Sequence, residues 1–406
     1  MINIAVMGYG TVGSGVVEVI NTNHELINKR VGEELNIKYV LDLREFPGDV
    51  AEHLIVHDFE QIVNDPEVKI VVETMGGLEP AHTFVKRCLE AGKSVTTSNK
   101  ALVAKFGVEL MEIAREKNIN FLFEASCGGG IPIIRPLNSS LTGDEIDEIS
   151  GILNGTTNYI LSKMSTEGSD FADVLKDAQA KGYAEADPTA DVEGHDACRK
   201  IAILSSLAYG KFIDYEGIYT EGITKITADD IKYANAMGTS IKLLGTSKKV
   251  KDGYYAMVSP VMIDNTNPLF SVNDVFNAIF VHGNMLGDAM FYGSGAGKLP
   301  TASAVVGDIV DIARNLDAGT LPTDWSSEKM ELMDISQVES RFFVRVKENQ
   351  DGKEATVREL FGDVEIYRVA ELSDEFAFVT PVMTEEAYEK KAEKLDGIVS
   401  MIRARF

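Results

Sequence analysis

Two arrangements in this 406-residue chain could do chemistry. The first is Asp196 with Lys200. Four residues apart on a helix, a carboxylate and an ammonium share one face, about 6 Å apart along the axis. Alone, that spacing describes a surface ion pair. Here the helix runs on as Ile201-Ala202-Ile203-Leu204, so it reads as largely buried, and a buried Lys/Asp pair is costly to desolvate and suggests a use. An ammonium so placed can meet a developing oxyanion and supply a proton. The second arrangement is Gly8-x-Gly10-x-x-Gly13, directly after the apolar run of residues 2–7. Its first glycine permits a tight strand-to-helix turn, its second lets backbone approach a pyrophosphate, and its third lets strand and helix pack closely. The helix start at Thr11 and Val12 then offers free N–H groups and the positive end of a dipole. The first reads as a buried ion pair with a use, the second as a dinucleotide-binding turn.

The end of the second strand bears on the cofactor's type. Asp42 there would accept from the ribose 2′-OH of NAD, whereas Arg44, two residues on, would favour the 2′-phosphate of NADP. Asp42 lies 29 residues beyond Gly13, further than the usual spacing of about 20; the reading leans to Asp42 facing the ribose. Gly182 is placed to stop the helix before the Asp/Lys pair, Asp187-Pro188 to turn the chain, and Asp191 to cap or open the helix that carries the pair. His195 adjoins Asp196 but points about 100° away and reads as structural. The other histidines (His24, His53, His57, His82, His282) show no metal-ligand spacing. Cys127, in a glycine-rich turn, would suit the thiol nucleophile of a semialdehyde dehydrogenase, but no histidine stands near it in sequence. Cys88 and Cys198 read as apolar fillers.

The elements that must position these residues alternate. Strands are expected at 2–7, 37–41, 70–73, 94–97 and 120–124, with helices at about 12–20, 80–91 and 108–117. That order reads as an α/β doubly wound parallel sheet of the Rossmann type over residues 1–137. Residues 138–298 read as an α+β catalytic and dimerisation domain, with helices at 155–165, 171–181 and 191–208 and strands at 148–153, 240–246, 254–263 and 277–281. A helix expected in 299–316, within a returning segment of about 299–330, would pack back on the first domain. From 340 to 406 the order β-α-β-β-α-β, with a weak first helix near 355–360, is the ferredoxin-like signature.

A formal charge of -24 argues against nucleic-acid binding and against docking on an anionic membrane. No apolar run reaches the roughly 18 residues a membrane span needs, and the N-terminus lacks a basic start and long apolar core. Three unclustered cysteines fit a cytoplasmic protein without a zinc site.

Residues 178–200 also resemble the signature of homoserine dehydrogenases, matching it as Ala178-x3-Gly182, Asp187-Pro188-x2-Asp191-Val192-x-Gly194-x-Asp196-x3-Lys200. Thr97-Ser98-Asn99-Lys100-Ala101-Leu102, Glu124-Ala125-Ser126-Cys127-Gly128-Gly129-Gly130-Ile131-Pro132, Ile152-Leu153-Asn154-Gly155-Thr156-Thr157-Asn158 and Gly293-Ser294-Gly295-Ala296-Gly297 are similar to further blocks of that family. The resemblance implies reversible NAD(P)H-dependent reduction of L-aspartate 4-semialdehyde to L-homoserine, in threonine, methionine and isoleucine biosynthesis. It implies Lys200 as proton donor, with Lys100 and Asp196 beside it, and Glu185, Asp191 and Asp196 on the substrate. It implies Ser98, Lys100, Gly182 and Gly295 at the cofactor, and a monovalent cation (Na+ or K+) held mostly by backbone carbonyls of Glu124, Cys127, Gly129 and Ile131. A homodimer built through the catalytic sheet is implied as well. The last 65 or so residues resemble an ACT domain, an amino-acid-sensing module, but Lys347-Glu348-Asn349-Gln350-Asp351-Gly352-Lys353 lacks the proline of the usual first loop. That departure leaves an effector role and a structural one both open. With no aspartokinase region before residue 1, the monofunctional type is expected. An oxidoreductase on another small carbonyl and a cofactor-binding sensor without chemistry are the alternatives; retention of both Lys100 and Lys200 argues against the sensor.

Overall fold

The computed structural model describes the chain except residues 317, 320, 322–324 and 349–351. Strands β1 (Ile2–Met7), β2 (Leu35–Leu41), β3 (Ile55–Val56), β4 (Val68–Glu73), β5 (Ser94–Thr97) and β6 (Phe121–Leu122) form one parallel sheet in the order β3-β2-β1-β4-β5-β6. Helices α1 (Thr11–Thr22), α2 (His24–Val31), α3 (Glu60–Val63), α4 (Ala81–Glu90) and α5 (Lys100–Glu116) connect them. This is the doubly wound α/β order, whose strand sequence reverses between β1 and β4; ligands bind in the crevice beyond the strand ends there. All six β1 residues are buried, as a strand covered on both faces requires.

The three glycines differ in why they are glycine. Gly8 turns at φ +95°, and a Cβ on Gly13 would lie 1.8 Å from the Gly8 carbonyl oxygen, so turn and packing exclude side chains at both. A Cβ on Gly10 would meet nothing within 4 Å. Its openness therefore serves whatever approaches from outside.

The expected strand at 120–124 is shorter. After Leu122 the chain enters a tight 3-10 turn, Glu124–Ser126, because the Glu124 carboxylate turns inward and accepts the N–H groups of Ile133, Ile134 and Arg135.

The second region comprises β7 (Ile146–Ile152), α6 (Gly155–Glu167), α7 (Phe171–Ala180), α8 (Thr189–Val192), α9 (His195–Tyr209), β8 (Lys211–Phe212), β9 (Tyr219–Thr220), α10 (Ala228–Ala236), β10 (Ser240–Val250), β11 (Gly253–Ile263), β12 (Phe276–Gly283) and β13 (Gly287–Ser294). Strands β13-β12-β7-β10-β11 pair antiparallel in that order. Asp191 does not cap the helix bearing the Asp/Lys pair: Gly194, at φ +81°, is the N-cap of α9, and Asp191 lies within α8. Gly182 (φ +75°) ends α7 as expected, its N–H on the Gln179 carbonyl.

Helix α11 (Lys298–Arg314) returns to the first sheet, where Ala302, Val305 and Ile309 share a core with Ile4, Val16 and Ile20. A short β14 (Ser326–Lys329) pairs with β8. The chain ends in β15 (Glu339–Lys347), α12 (Lys353–Phe361), β16 (Ile366–Tyr367), β17 (Glu375–Val379), β18 (Met383–Thr384), α13 (Glu385–Ala392) and β19 (Ile398–Arg405). Its main strands lie in the order β19-β15-β17-β16, and β19 pairs parallel with β11, which fuses this module to the larger sheet. Residues 349–351 of its first loop lie outside the described residues. No helix among the described residues is long and apolar enough to cross a membrane.

Candidate active site

Helix α9 carries Asp196 and Lys200 into the core below a cleft of about 470 Å³. The Lys200 Nζ donates to Asp196 Oδ2 and to the Leu153 carbonyl, each at 2.7 Å, and its side chain is only 10% exposed. From the dinucleotide-binding region, Lys100 at the start of α5 reaches across and pairs with Asp196 Oδ1 at 2.8 Å. Asp196 thus stands between two ammonium groups. Burial would raise its carboxyl, but the charges of Lys200 and Lys100 outweigh that and hold it well below the usual carboxylate range. The Asp196 charge in turn raises Lys100. Asp191 also faces the cleft; burial raises its carboxyl, and repulsion from Asp196 adds to the effect.

An ammonium has three N–H donors. Among the described residues two of those on Lys200 are spent, which leaves the third for an oxygen in the cleft. The aldehyde or alkoxide oxygen of a small substrate is the kind of acceptor this geometry suits, because the donor is fixed before charge develops.

The cleft also receives Val12, at the N-terminus of α1, together with Ser98, Gly129, Gly182 and Gly295. The first backbone N–H groups of α1 have no acceptor within the helix, so they are available to a pyrophosphate between this cleft and a second one. The second cleft, also about 470 Å³, is lined by Gly8, Gly10, Asp42, Arg44, Phe59 and Phe84, among others. Asp42 accepts from the Tyr9 N–H at 2.9 Å and is gripped by Arg44 through Nε (2.9 Å) and Nη2 (3.0 Å). The Arg44 guanidinium holds its carboxyl well below the usual carboxylate range. Gly13 is buried beneath the turn and Thr11 is exposed beside it.

Not every expected residue converges. Glu185 is exposed on the turn after α7, outside the residues lining the cleft. His195 is likewise exposed. Cys127 is fully buried with its Sγ 3.7 Å from the Lys200 carbonyl, and burial pushes its thiol up to about 12. It offers no thiolate to a substrate, which removes the ground for a thioester-forming enzyme. Among the described residues no group of three or more His, Cys, Asp and Glu could hold a metal ion. The carbonyls of Cys127, Gly129 and Ile131 are a different kind of donor. Among the described residues none of them accepts a hydrogen bond. Near Ile131, Arg135 donates its N–H to Glu124 instead, and Pro136 has none to give.

Sequence reasoning assigned no role to Asn154, whose amide touches both Asp191 and Asp196, nor to Thr156 and Tyr183, which line the cleft. The signal for Asn154 was its place just ahead of a helix start.

Residues 8–124 match the family model described as "Homoserine dehydrogenase, NAD binding domain", and residues 132–310 match the one described as "Homoserine dehydrogenase". A homoserine dehydrogenase of Corynebacterium glutamicum is 40% identical over 417 aligned residues, covering all of this chain and 93% of the relative. Among solved structures, a homoserine dehydrogenase from Thiobacillus denitrificans superposes with a TM-score of 0.91 at 37% identity, covering 100% of this chain and 98% of that one. A hyperthermophilic archaeal homoserine dehydrogenase in complex with NADPH gives a TM-score of 0.65 at 30% identity, covering 77% of this chain and 97% of that one.

Proposed function

The chain belongs to the homoserine dehydrogenase family, and from that premise we propose the parts its residues take in the NAD(P)H-dependent interconversion of L-aspartate 4-semialdehyde and L-homoserine. Bound NAD(P)H supplies the hydride. Lys200 donates its remaining N–H to the aldehyde oxygen and gives up that proton as the alkoxide forms; in oxidation its neutral amine takes the proton back. Lys100 supports the developing negative charge. Asp196, already between two lysines, sets their positions. Asp191, which lines the cleft and has one oxygen without a side-chain partner, receives the substrate ammonium; Glu185, which the family resemblance also implies on the substrate, stands outside the cleft lining. The observation that carries the reading is the Lys200 Nζ on a cleft shared with Val12, Gly182 and Gly295. Loss of NADPH absorbance on adding aspartate semialdehyde tests it; absence of turnover with that substrate, alongside turnover of another small carbonyl, would favour the broader oxidoreductase reading.

For the cofactor we favour NADP. The acceptor sites of Asp42 are taken by Tyr9 and Arg44, and an arginine beside the ribose pocket suits a 2′-phosphate. This departs from the sequence-based leaning to Asp42 on the ribose. The unengaged carbonyls of Cys127, Gly129 and Ile131, with that of Glu124, fit a hard monovalent cation, which prefers oxygen donors; the Glu124 carboxylate is spent on backbone N–H groups. The buried, unpaired thiols suit a cytoplasmic enzyme of threonine, methionine and isoleucine synthesis. The edge strand β13 exposes Met290 and Tyr292 beside Phe276, a surface that supports homodimerisation through the catalytic sheet; size-exclusion chromatography with light scattering tests it. We read the ACT-like C-terminal module as chiefly structural, since Arg345 and Arg403 lock it to the catalytic region through ion pairs with Asp230 and Glu221. Inhibition by added threonine would assign it an effector role instead.

A further inference from the structure

Residues 153 and 154 hold both partners of the buried ion pair. The Leu153 carbonyl accepts from Lys200. The next side chain, Asn154, is 6% exposed and caps α6: its Oδ1 accepts the Thr157 N–H at 2.9 Å. A backbone N–H can only donate, so the amide oxygen must face the helix and the amide nitrogen must face away from it. There Nδ2 donates to two carboxylates, Asp191 Oδ1 at 2.7 Å and Asp196 Oδ2 at 2.9 Å. The orientation is thereby fixed from both ends.

The effect on the two carboxylates differs. Asp196 receives Lys100 on one oxygen and Lys200 plus Asn154 on the other, so its acceptor capacity is nearly filled. Asp191 receives Asn154 on Oδ1, with no other partner among its described contacts. The hydrogen bond favours ionised Asp191 against burial and against the neighbouring charge of Asp196. It leaves the second oxygen of Asp191, which lines the cleft, without a side-chain partner among its described contacts.

We propose that Asn154 is a positioning residue for ammonium recognition: its amide bridges Asp191 and Asp196 and holds Asp191 for the α-ammonium of the amino-acid substrate. This rests on the reading of Asp191 as the ammonium acceptor. The cap role of Asn154 can be separated from the bridge, because aspartate and serine also cap helices. N154S keeps an acceptor for Thr157 and removes both amide N–H donors, leaving one hydroxyl on a shorter side chain that cannot bridge two carboxylates. N154D keeps the cap and replaces the donor with a third carboxylate.

Steady-state homoserine oxidation and thermal unfolding, measured for N154S, N154D and D191N, test the proposal. KM for homoserine should rise about ten- to hundredfold in both Asn154 variants, the loss of a hydrogen bond to a charged group, with a smaller change in kcat and none in KM for NADP. The acidic limb of the kcat/KM profile for homoserine should move to higher pH, most in N154D. Two results would overturn the proposal. If D191N raises KM while N154S leaves KM and the pH profile unchanged, the bridge has no positioning role though the ammonium reading stands. If D191N itself leaves KM unchanged, that reading fails and the proposal with it. Should N154S unfold, N154D with its intact cap carries the same two readouts.

Discussion

The molecule buries cations in two places in opposite ways. In the cleft, Lys200 shares Asp196 with Lys100, and one of its three N–H groups has no partner among the described residues. Where the C-terminal module meets α10, Arg345 is 2% exposed and pairs with Asp230 and Glu375, both fully buried, at 2.7 Å each. Here Asp230 is filled: it also accepts from Ser400 and from the Thr227 N–H and hydroxyl. Arginine stays charged at any pH at which the protein folds, whereas lysine can surrender its proton. Buried charge by itself therefore does not mark an active site. An exchangeable proton with an unspent donor direction beside a cleft is what the proposed role of Lys200 adds.

The sharpest test of that contrast is Lys200→Met. It should lower kcat by about 10²–10⁴-fold, the usual range for removing a general acid, with little change in KM. A KM-dominated defect would mean that Lys200 only binds. Next in size, Arg345→Met leaves Asp230 and Glu375 without their shared cation. A cost of about 3–5 kcal/mol in unfolding free energy follows, read by denaturant titration, with kcat preserved in the protein that remains folded. A variant as stable as the parent would break the comparison from the structural side.

Lys242 is an intermediate case. It is 1% exposed and donates only to neutral acceptors, the Val272 carbonyl at 2.6 Å and Asn273 Oδ1 at 2.8 Å, with a weaker approach to Asn158. Burial lowers its ammonium to about 8, the charge of Asp274 offsetting this only in part. A lysine whose folded pKa lies below its unfolded value binds its proton less tightly when folded. Charging it works against folding at neutral pH, and that penalty fades as pH rises from about 8 toward the unfolded value of 10.5. The stability of the parent relative to Lys242→Met should therefore climb between pH 8 and 10. A difference constant with pH would mean that Lys242 stays charged, as Arg345 does.

How much of this was legible beforehand follows the same physics. The glycine turn and the i,i+4 pair are local patterns that spacing brings to notice; the pair stood out from a surface ion pair only through the apolar run that follows it and the family resemblance. The parallel sheet showed in the buried, non-alternating runs at β1 and β4. What was missed depends on contacts distant in sequence. Asn154 reaches Asp196 across 42 residues. Arg345 meets Asp230 across 115, and its strand gives no hint of the partner. Helix α10 was not foreseen because Ala228–Ala236 carries little apolar periodicity; its Thr227–Asp230 capping box was the available signal. The edge strand β13 escaped because its exposed face carries Met290 and Tyr292, so the alternation of polar and apolar residues is blurred.

The smallest effect concerns the pair at the opposite end of the cofactor groove. Arg44 and Asp42 lie nearly as close as the buried pairs, at 2.9 Å, yet the arginine side chain is 63% exposed. Exposed pairs contribute little to folding because solvent screens them, so Arg44→Ala should leave the unfolding temperature nearly unchanged. The NADP reading gives it a different role. With the guanidinium gone, a 2′-phosphate meets Asp42 without a counter-charge, while a ribose hydroxyl gains an acceptor. KM for NADPH should rise about tenfold or more, and KM for NADH should hold or fall, the size expected from losing a charge-assisted contact with phosphate. Equal changes for both cofactors would show that Arg44 only shapes the loop. A change confined to NADPH would identify this pair as ligand recognition, in which the energy resides in a phosphate that only one cofactor carries.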